Sequence, residues 1–247
     1  MNKQKERSKD TFQFKQFTVK QDQCTMKVGT DGVLLGAWAP VPPAGRVLDI
    51  GAGTGLISLM AAQRQSDAQV VAIEIDEAAA KQAAENAAAS PFADRLEVAC
   101  SSIQDYTRQT EKRFDLILSN PPFFSGGVIS EQEGRANVRH TVKLSHQDLL
   151  RSVQRLLSDD GSFCLVLPWL EGLRFQEVAA TYQLFTHRVV RVRPSPEKSA
   201  NRVLLELKKL PVPTNGPLQE EISVYEKAGE NAGRSKDFLS LTTAFYL

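Results

Sequence analysis

What this chain has little of narrows its class first. No apolar run in its 247 residues approaches the ~20 that a membrane helix needs. The N-terminus is charged and polar and has no apolar segment, so no secretory signal is expected. Cysteine is scarce. Cys24, Cys100 and Cys164 are odd in number and far apart, which excludes a disulfide framework and a Cys-x-x-Cys metal site. They read as reduced, structural thiols, and the chain as cytoplasmic and free of bound metal. Neither sign of charge dominates. The formal net charge is +1, so affinity for nucleic acid must come from local patches and not from bulk charge. No internal repeat is found. The length suits one large domain or two small ones.

What is present alternates between strand and helix patterns. Arg46 to Ile50 reads as a buried strand, followed at once by Gly51-Ala52-Gly53-Thr54-Gly55 and an apolar helix through Ala62. Gln69 to Ile75 is a second strand, and Asp76 caps an Ala-rich helix to about Ala89. Leu96 to Ala99 and Phe114 to Leu118 are the third and fourth strands. Ser145 caps a helix with Leu149, Leu150, Val153, Leu156 and Leu157 on one face. Asp159-Asp160-Gly161 is predicted as a turn into a fifth strand, Ser162 to Leu167, and Gly172 to Tyr182 as a helix. Thr186 to Val192 and Arg202 to Leu207 have no helix between them and are expected to pair antiparallel at an edge. The fold class that follows is α/β, a doubly wound, mostly parallel seven-stranded sheet with an antiparallel edge pair. Residues 1–25 read as a basic N-terminal extension and 26–210 as the main domain. Residues 211–247 read as a tail, packed on the domain or partly mobile, with a helix-like piece around Ile222 to Ala228.

Two strand ends carry the chemistry. At the first, glycines allow close approach of a ligand to the backbone where strand turns to helix. The pattern is G-x-G-x-G with Asp49 just ahead, not the G-x-G-x-x-G of dinucleotide sites. An acid there repels phosphate and attracts a cation. Glu74, ending the second strand, is placed to accept hydrogen bonds from both hydroxyls of a ribose. A nucleoside with an ammonium group and no phosphate meets both demands, and S-adenosylmethionine fits. At the second strand end stand Asn120, Pro121, Pro122 and Phe123. Asn offers an acceptor and donors, the prolines stiffen the backbone, and Phe123 offers a face for a planar ring. Together they suit an amino group attached to a flat ring.

These motifs, with Lys27-Val28-Gly29-Thr30-Asp31-Gly32-Val33-Leu34-Leu35-Gly36-Ala37-Trp38 and Ala72-Ile73-Glu74-Ile75-Asp76, resemble class I S-adenosylmethionine-dependent methyltransferases. Among them the sequence is most similar to the bacterial tRNA(Val) adenine-37 N6-methyltransferase family, over most of residues 12 to 210. The resemblance implies that Asp49, Gly51, Ala52, Gly53 and Gly55 hold the amino acid end of the cofactor, that Glu74 takes the ribose and that Ile75 packs on the adenine. Lys27 to Thr30 pass over the methionine end, with Thr30 as the side-chain contact. Where the family usually has an acid for the adenine amino group, this chain has Ser102, before Ile103; Ser102 and Asp105 are alternatives for that bond. Asn120 and Pro121 would accept hydrogen bonds from the target amino group while Phe123 stacks on its base.

The expected partner is RNA, read as tRNA, and the protein a monomer or weak dimer. Phosphate contacts are assigned to Arg135, Arg139, His140 and Lys143 after the Asn-Pro-Pro-Phe motif, to lysines of the N-terminal extension, and to Arg188, Arg191, Arg193, Lys198 and Arg202 on the strand pair. Trp38 and Trp169 are assigned to the core. The same Asn-Pro-Pro-aromatic motif also serves methylation of guanine N2 in RNA and of a protein glutamine amide. Those families usually carry an extra domain ahead of the glycine loop, whereas here 50 residues precede Gly51. A non-catalytic RNA-binding relative is the reading from another class, and the intact Asp49, Glu74 and Asn120 speak against it.

Overall fold

The structure, a computed structural model, describes residues 10–122 and 144–246. Its centre is an eight-stranded sheet with the order β10-β8-β9-β7-β6-β3-β4-β5. The strands are β3 (Ala44–Ile50), β4 (Asp67–Glu74), β5 (Leu96–Cys100), β6 (Phe114–Ser119), β7 (Leu157–Pro168), β8 (Phe185–Arg193), β9 (Arg202–Lys208) and β10 (Leu218–Ser223). Only β9 runs against its neighbours; every other adjacent pair is parallel. Valine, leucine and isoleucine on both faces of β3, β6 and β7 are buried, as parallel strands covered on two sides require.

Helices cover both faces. α1 (Thr30–Trp38), α2 (Leu56–Arg64) and α3 (Glu77–Ala88) contribute to one apolar layer. α4 (Ile103–Gln109), α5 (His146–Leu156) and α6 (Trp169–Thr181) contribute to the other. The predicted caps form. The Asp76 carboxylate accepts from the Ala79 N–H at 2.9 Å and the Ser145 hydroxyl from the Asp148 N–H at 3.0 Å, each contributing about 1 kcal/mol.

Three details differ from the sequence reading. Asp159-Asp160-Gly161 does not separate a turn from a strand. β7 starts at Leu157 opposite Phe114, and Ser162 is the next residue in register, opposite Leu116, so residues 158–161 form a bulge facing Asp115. The sheet has eight strands because the tail supplies β10, parallel to β8, and the antiparallel pair is therefore one strand in from the edge. The helix-like piece around Ile222 is instead the end of β10, followed by an antiparallel bridge from Tyr225 to Arg234.

The described part of the N-terminal segment forms a hairpin, β1 (Thr11–Gln13) with β2 (Thr18–Lys20). Its Phe14, Phe17 and Val19 are buried in the first layer together with Phe238 and Phe245 from the last helix, α7 (Lys236–Thr242), and the residues after it. Phe14 stacks on Phe17 and on Tyr246 at centroid distances of 4.8 and 5.8 Å, and the Lys15 N–H donates to the Phe245 carbonyl at 2.8 Å.

Candidate active site

The carboxyl ends of β3, β4, β5, β6 and β7 lie along one rim of the sheet, the position where open α/β sheets bind ligands. At the end of β3, Gly51 and Gly53 take φ values of 74° and 54°, which L side chains rarely adopt. A Cβ on either would meet no atom within 4 Å. The turn therefore presents bare backbone to an open space. It is held from behind, where the Gly51 and Ala52 N–H groups donate to the Ile73 carbonyl at 2.8 and 3.1 Å.

Glu74 joins this turn to the next one. One carboxylate oxygen accepts from the Gly53 N–H at 2.8 Å; the other accepts from the N–H groups of Ile75 at 2.8 Å and Asp76 at 3.0 Å. A carboxylate has about four acceptor sites, so three bonds fix its orientation and leave acceptor capacity at the rim. Ile75, directly after it, is 52% exposed, a large apolar side chain beside a polar cradle.

Asp49 is fully buried. Its Oδ2 accepts from the Ser58 hydroxyl at 2.6 Å, and its Oδ1 has no hydrogen-bond partner. Burial pushes its carboxyl up to about 7, with the Ser58 hydrogen bond opposing and the nearby Glu74 charge adding to the rise. A buried acceptor without a partner is costly, and an ammonium group at this turn would satisfy it.

The other strand end shows the same mark. Ser119 closes β6, and its hydroxyl donates to the Ile50 carbonyl at 2.9 Å, pinning the two strand ends together. Asn120 follows, and its buried Oδ1 also lacks a hydrogen-bond partner. Pro121 is buried and Pro122 exposed. Two unsatisfied acceptors thus stand at the ends of adjacent strands. Phe123, Arg135, Arg139, His140 and Lys143 lie outside the described residues.

Other predicted residues are placed differently. Thr30 opens α1, with Lys27 exposed just ahead of it. The Ser102 hydroxyl caps α4: it accepts from the Asp105 N–H at 3.0 Å and donates to the Asp105 carboxylate at 2.6 Å. The Ser102 and Arg108 bonds hold the Asp105 carboxyl below the usual carboxylate range. Both alternatives for the adenine amino group are therefore engaged with each other. Ile103 is buried in the second layer.

Three polar side chains that the sequence reading passed over support the site. Ser58 holds Asp49. Asn86, on α3, donates to the carbonyls of Thr54 and Lys20, both at 2.9 Å, and accepts from the Lys20 N–H at 2.9 Å, tying the glycine turn to β2. Gln82 donates to Asp22 at 2.7 Å and accepts from the Gln23 N–H at 3.2 Å. The signal for Gln82 and Asn86 was polar residues at helical spacing on the buried face of an Ala-rich helix, whereas Ser58 lies on α2. Among the described residues no three His, Cys, Asp or Glu are grouped to hold a metal ion, and no helix is long and apolar enough to cross a membrane.

Residues 26–169 match the family described as the methyltransferase small domain. The chain is 45% identical over 240 residues to the tRNA1(Val) (adenine(37)-N6)-methyltransferase of Trichodesmium erythraeum, covering 96% of this chain and 97% of that one. It is 42% identical over 243 residues to the protein of the same name from Pectobacterium carotovorum, covering 97% and 94%. Among solved structures it is similar to a predicted O-methyltransferase from Agrobacterium tumefaciens, with a TM-score of 0.65 at 18% identity over 87% of this chain and 96% of that one. It is also similar to the geranyl diphosphate C-methyltransferase of Streptomyces coelicolor bound to S-adenosyl-L-homocysteine, with a TM-score of 0.52 at 15% identity over 72% and 77%. These two share its fold. With a family match over more than half its length and near-complete coverage of relatives above 40% identity, the chain belongs to the methyltransferase small domain family and, within it, to the tRNA1(Val) (adenine(37)-N6)-methyltransferases.

Proposed function

We infer that this protein methylates the exocyclic N6 of adenine 37 in tRNA1(Val), with S-adenosylmethionine as methyl donor. The observation that carries the reading is Asn120: a buried amide oxygen without a partner, fixed at the end of β6 beside the glycine turn, in a chain of this family.

When bound, the cofactor supplies an electrophilic methyl group on a sulfonium centre. The residues suited to hold it are the backbone of Gly51 to Gly53 and the unpartnered Asp49 oxygen for its amino acid end, Glu74 for its ribose and the exposed Ile75 for its adenine. Lys27 to Thr30 are the segment assigned to its methionine end. Asn120 then does the work on the acceptor. Its Oδ1 and the Pro121 carbonyl accept the two N6 hydrogens, which turns the amino group so that its lone pair leaves conjugation with the ring and faces the donor side of the rim. Neither acceptor is basic, so the proton released after transfer goes to solvent. The gain comes from positioning and from placed dipoles, and the pyrrolidine ring of Pro121 limits how far the amide can drift. The target base must leave its stack to reach this rim, as for other enzymes that act on bases.

The test is to incubate the purified protein with labelled cofactor and total RNA from a strain lacking the gene. Label is expected in N6-methyladenosine of tRNA1(Val). Label in guanosine, label in protein, or none would overturn the reading.

A further inference from the structure

The sequence assigned five cations of the strand pair to RNA phosphate and left Trp169 in the core. The structure has Trp169 half-buried against the second layer and divides the cations. Arg188 is paired with Glu220, Arg193 with Glu221 at 2.9 Å and Arg202 with Asp31 at 2.9 Å, so three of the five charges are met within the fold. Arg191 makes no ion pair among the described residues. Its guanidinium lies over the ring of Trp169, 5.6 Å from the centroid.

The pair stands on the active-site rim. β7 runs parallel to β6 with Leu165 opposite Ser119. Trp169 therefore begins α6 one strand over and three residues further along the rim than Asn120, a separation on the order of 10 Å in strand geometry. Arg191 reaches the same place from β8: it pairs with Val203 on β9, which pairs with Leu167 on β7. The surface around them is unlike the rest of α6. Leu170 and Leu173, one helical turn apart, are 69% and 43% exposed. Arg174 beside them is exposed and without an ion pair among the described residues. An aromatic ring topped by a guanidinium, apolar neighbours and unneutralised positive charge make a surface complementary to a splayed nucleotide. Bases stack on aromatic rings and on arginine planes, and the phosphate answers the charge.

We propose that Trp169 and Arg191 form a stacking platform for the nucleobase next to the methylated adenine, a second base subsite on the rim beside Asn120. This rests on the RNA-methylating reading above. Its consequence is that the enzyme grips two adjacent unstacked bases. Sequence preference beside the target then comes from stacking on Arg191 and Trp169, not from the ion-paired arginines of the strand pair.

Two measurements on the full-length protein test it. Steady-state methylation of an anticodon stem-loop of tRNA1(Val) should show KM for RNA raised roughly tenfold or more in Trp169→Leu and severalfold in Arg191→Gln. Trp169→Phe should restore most of the loss, and the cofactor Kd should be unchanged in all three. A stem-loop lacking one base beside the target adenine should raise KM in the wild type and leave the already raised KM of Trp169→Leu where it is. The chain has two tryptophans, and Trp38 is buried under Arg188, so quenching of indole fluorescence on adding the stem-loop reports Trp169 and should vanish in Trp169→Phe. Wild-type methylation with unchanged KM in Trp169→Leu and Arg191→Gln, or additive effects of the missing base, would overturn the platform and leave the proposed function standing. Absence of any RNA methylation by the wild type would overturn both.

Discussion

The two halves of the sheet handle charge in opposite ways. Across β3, β4 and β5, Glu74 and Asp49 bond to neutral donors: the N–H groups of Gly53, Ile75 and Asp76, and the Ser58 hydroxyl. Across β8, β9 and β10, the charged groups are met by opposite charges, Arg188 by Glu220 and Arg202 by Asp31. The first half uses charge to shape a turn and keep an acceptor ready. The second spends most of its charge on holding the sheet's edge, and among the described residues Arg191 and Lys198 are the strand-pair cations without an ion pair. A run of arginines is thus no measure of a nucleic-acid surface until its internal partners have been subtracted.

The sharpest way to break this contrast is at the boundary between the halves. Asn120→Ala should lower the methylation rate by about a hundredfold or more, the scale of removing one preorganised polar contact, while cofactor affinity measured by calorimetry stays within about twofold. A rate near wild type would remove Asn120 from the mechanism. The next effect is on stability. Asp49 has its folded-state pKa raised to about 7 from an unfolded value near 3.9. Below pH ~4 both states hold the proton and its contribution is fully present. Between pH ~4 and ~7 only the unfolded chain releases it, so stability falls; above ~7 it is level. Asp49→Asn cannot ionise. The stability of the wild type relative to this variant, from urea unfolding, should decline by on the order of a few kcal/mol across that window and then stay flat. A rise across the window would contradict the burial argument.

Glu74→Gln comes third. Replacing one carboxylate oxygen by an NH2 group takes the acceptor from Gly53 or from the Ile75 and Asp76 pair, and the cofactor Kd should rise about tenfold with RNA affinity unchanged, since a hydrogen bond to a charged group contributes about 1.5–3 kcal/mol. The smallest effect sharpens the comparison from the other side. Arg188→Ala should change RNA affinity and its salt dependence very little, and cost about 1 kcal/mol of stability, because its charge is already met by Glu220. A marked loss of RNA affinity would return the strand pair to the interface.

A different contrast, between local and long-range features, explains what could be read from the sequence. The strand and helix order from Arg46 to Leu118, the caps at Asp76 and Ser145, and the position of Asn120 at a strand end are local statements. Glycine, a cap residue or a proline leaves the same imprint wherever it stands. β10 was not legible, because Leu218 to Ser223 is a short, mixed segment whose strand character comes from pairing with β8. Trp169 was read as core and does pack, half-buried, against the second layer; its place on the rim beside Arg191 follows from register. Ser102 was read from its position after the third strand, and the cap it makes with Asp105 competes with that role. Asn86 was passed over because its partners, Thr54 and Lys20, are brought to it only by the fold.

The aromatic contact between the first hairpin and the residues around α7 has a consequence for synthesis. Phe14 and Phe17 leave the ribosome well before Phe238, Phe245 and Tyr246, which pack in the same cluster. Until they emerge, the hairpin keeps an unfinished apolar face, and the β2 segment that Asn86 ties to the glycine turn is anchored on one side only. A nascent chain stalled ahead of Lys236 should accordingly be cut by protease within the hairpin, while the released chain resists. The interval between synthesis of the hairpin and synthesis of the segment from Lys236 onward is one in which quality control can recognise a truncated product by its open hairpin.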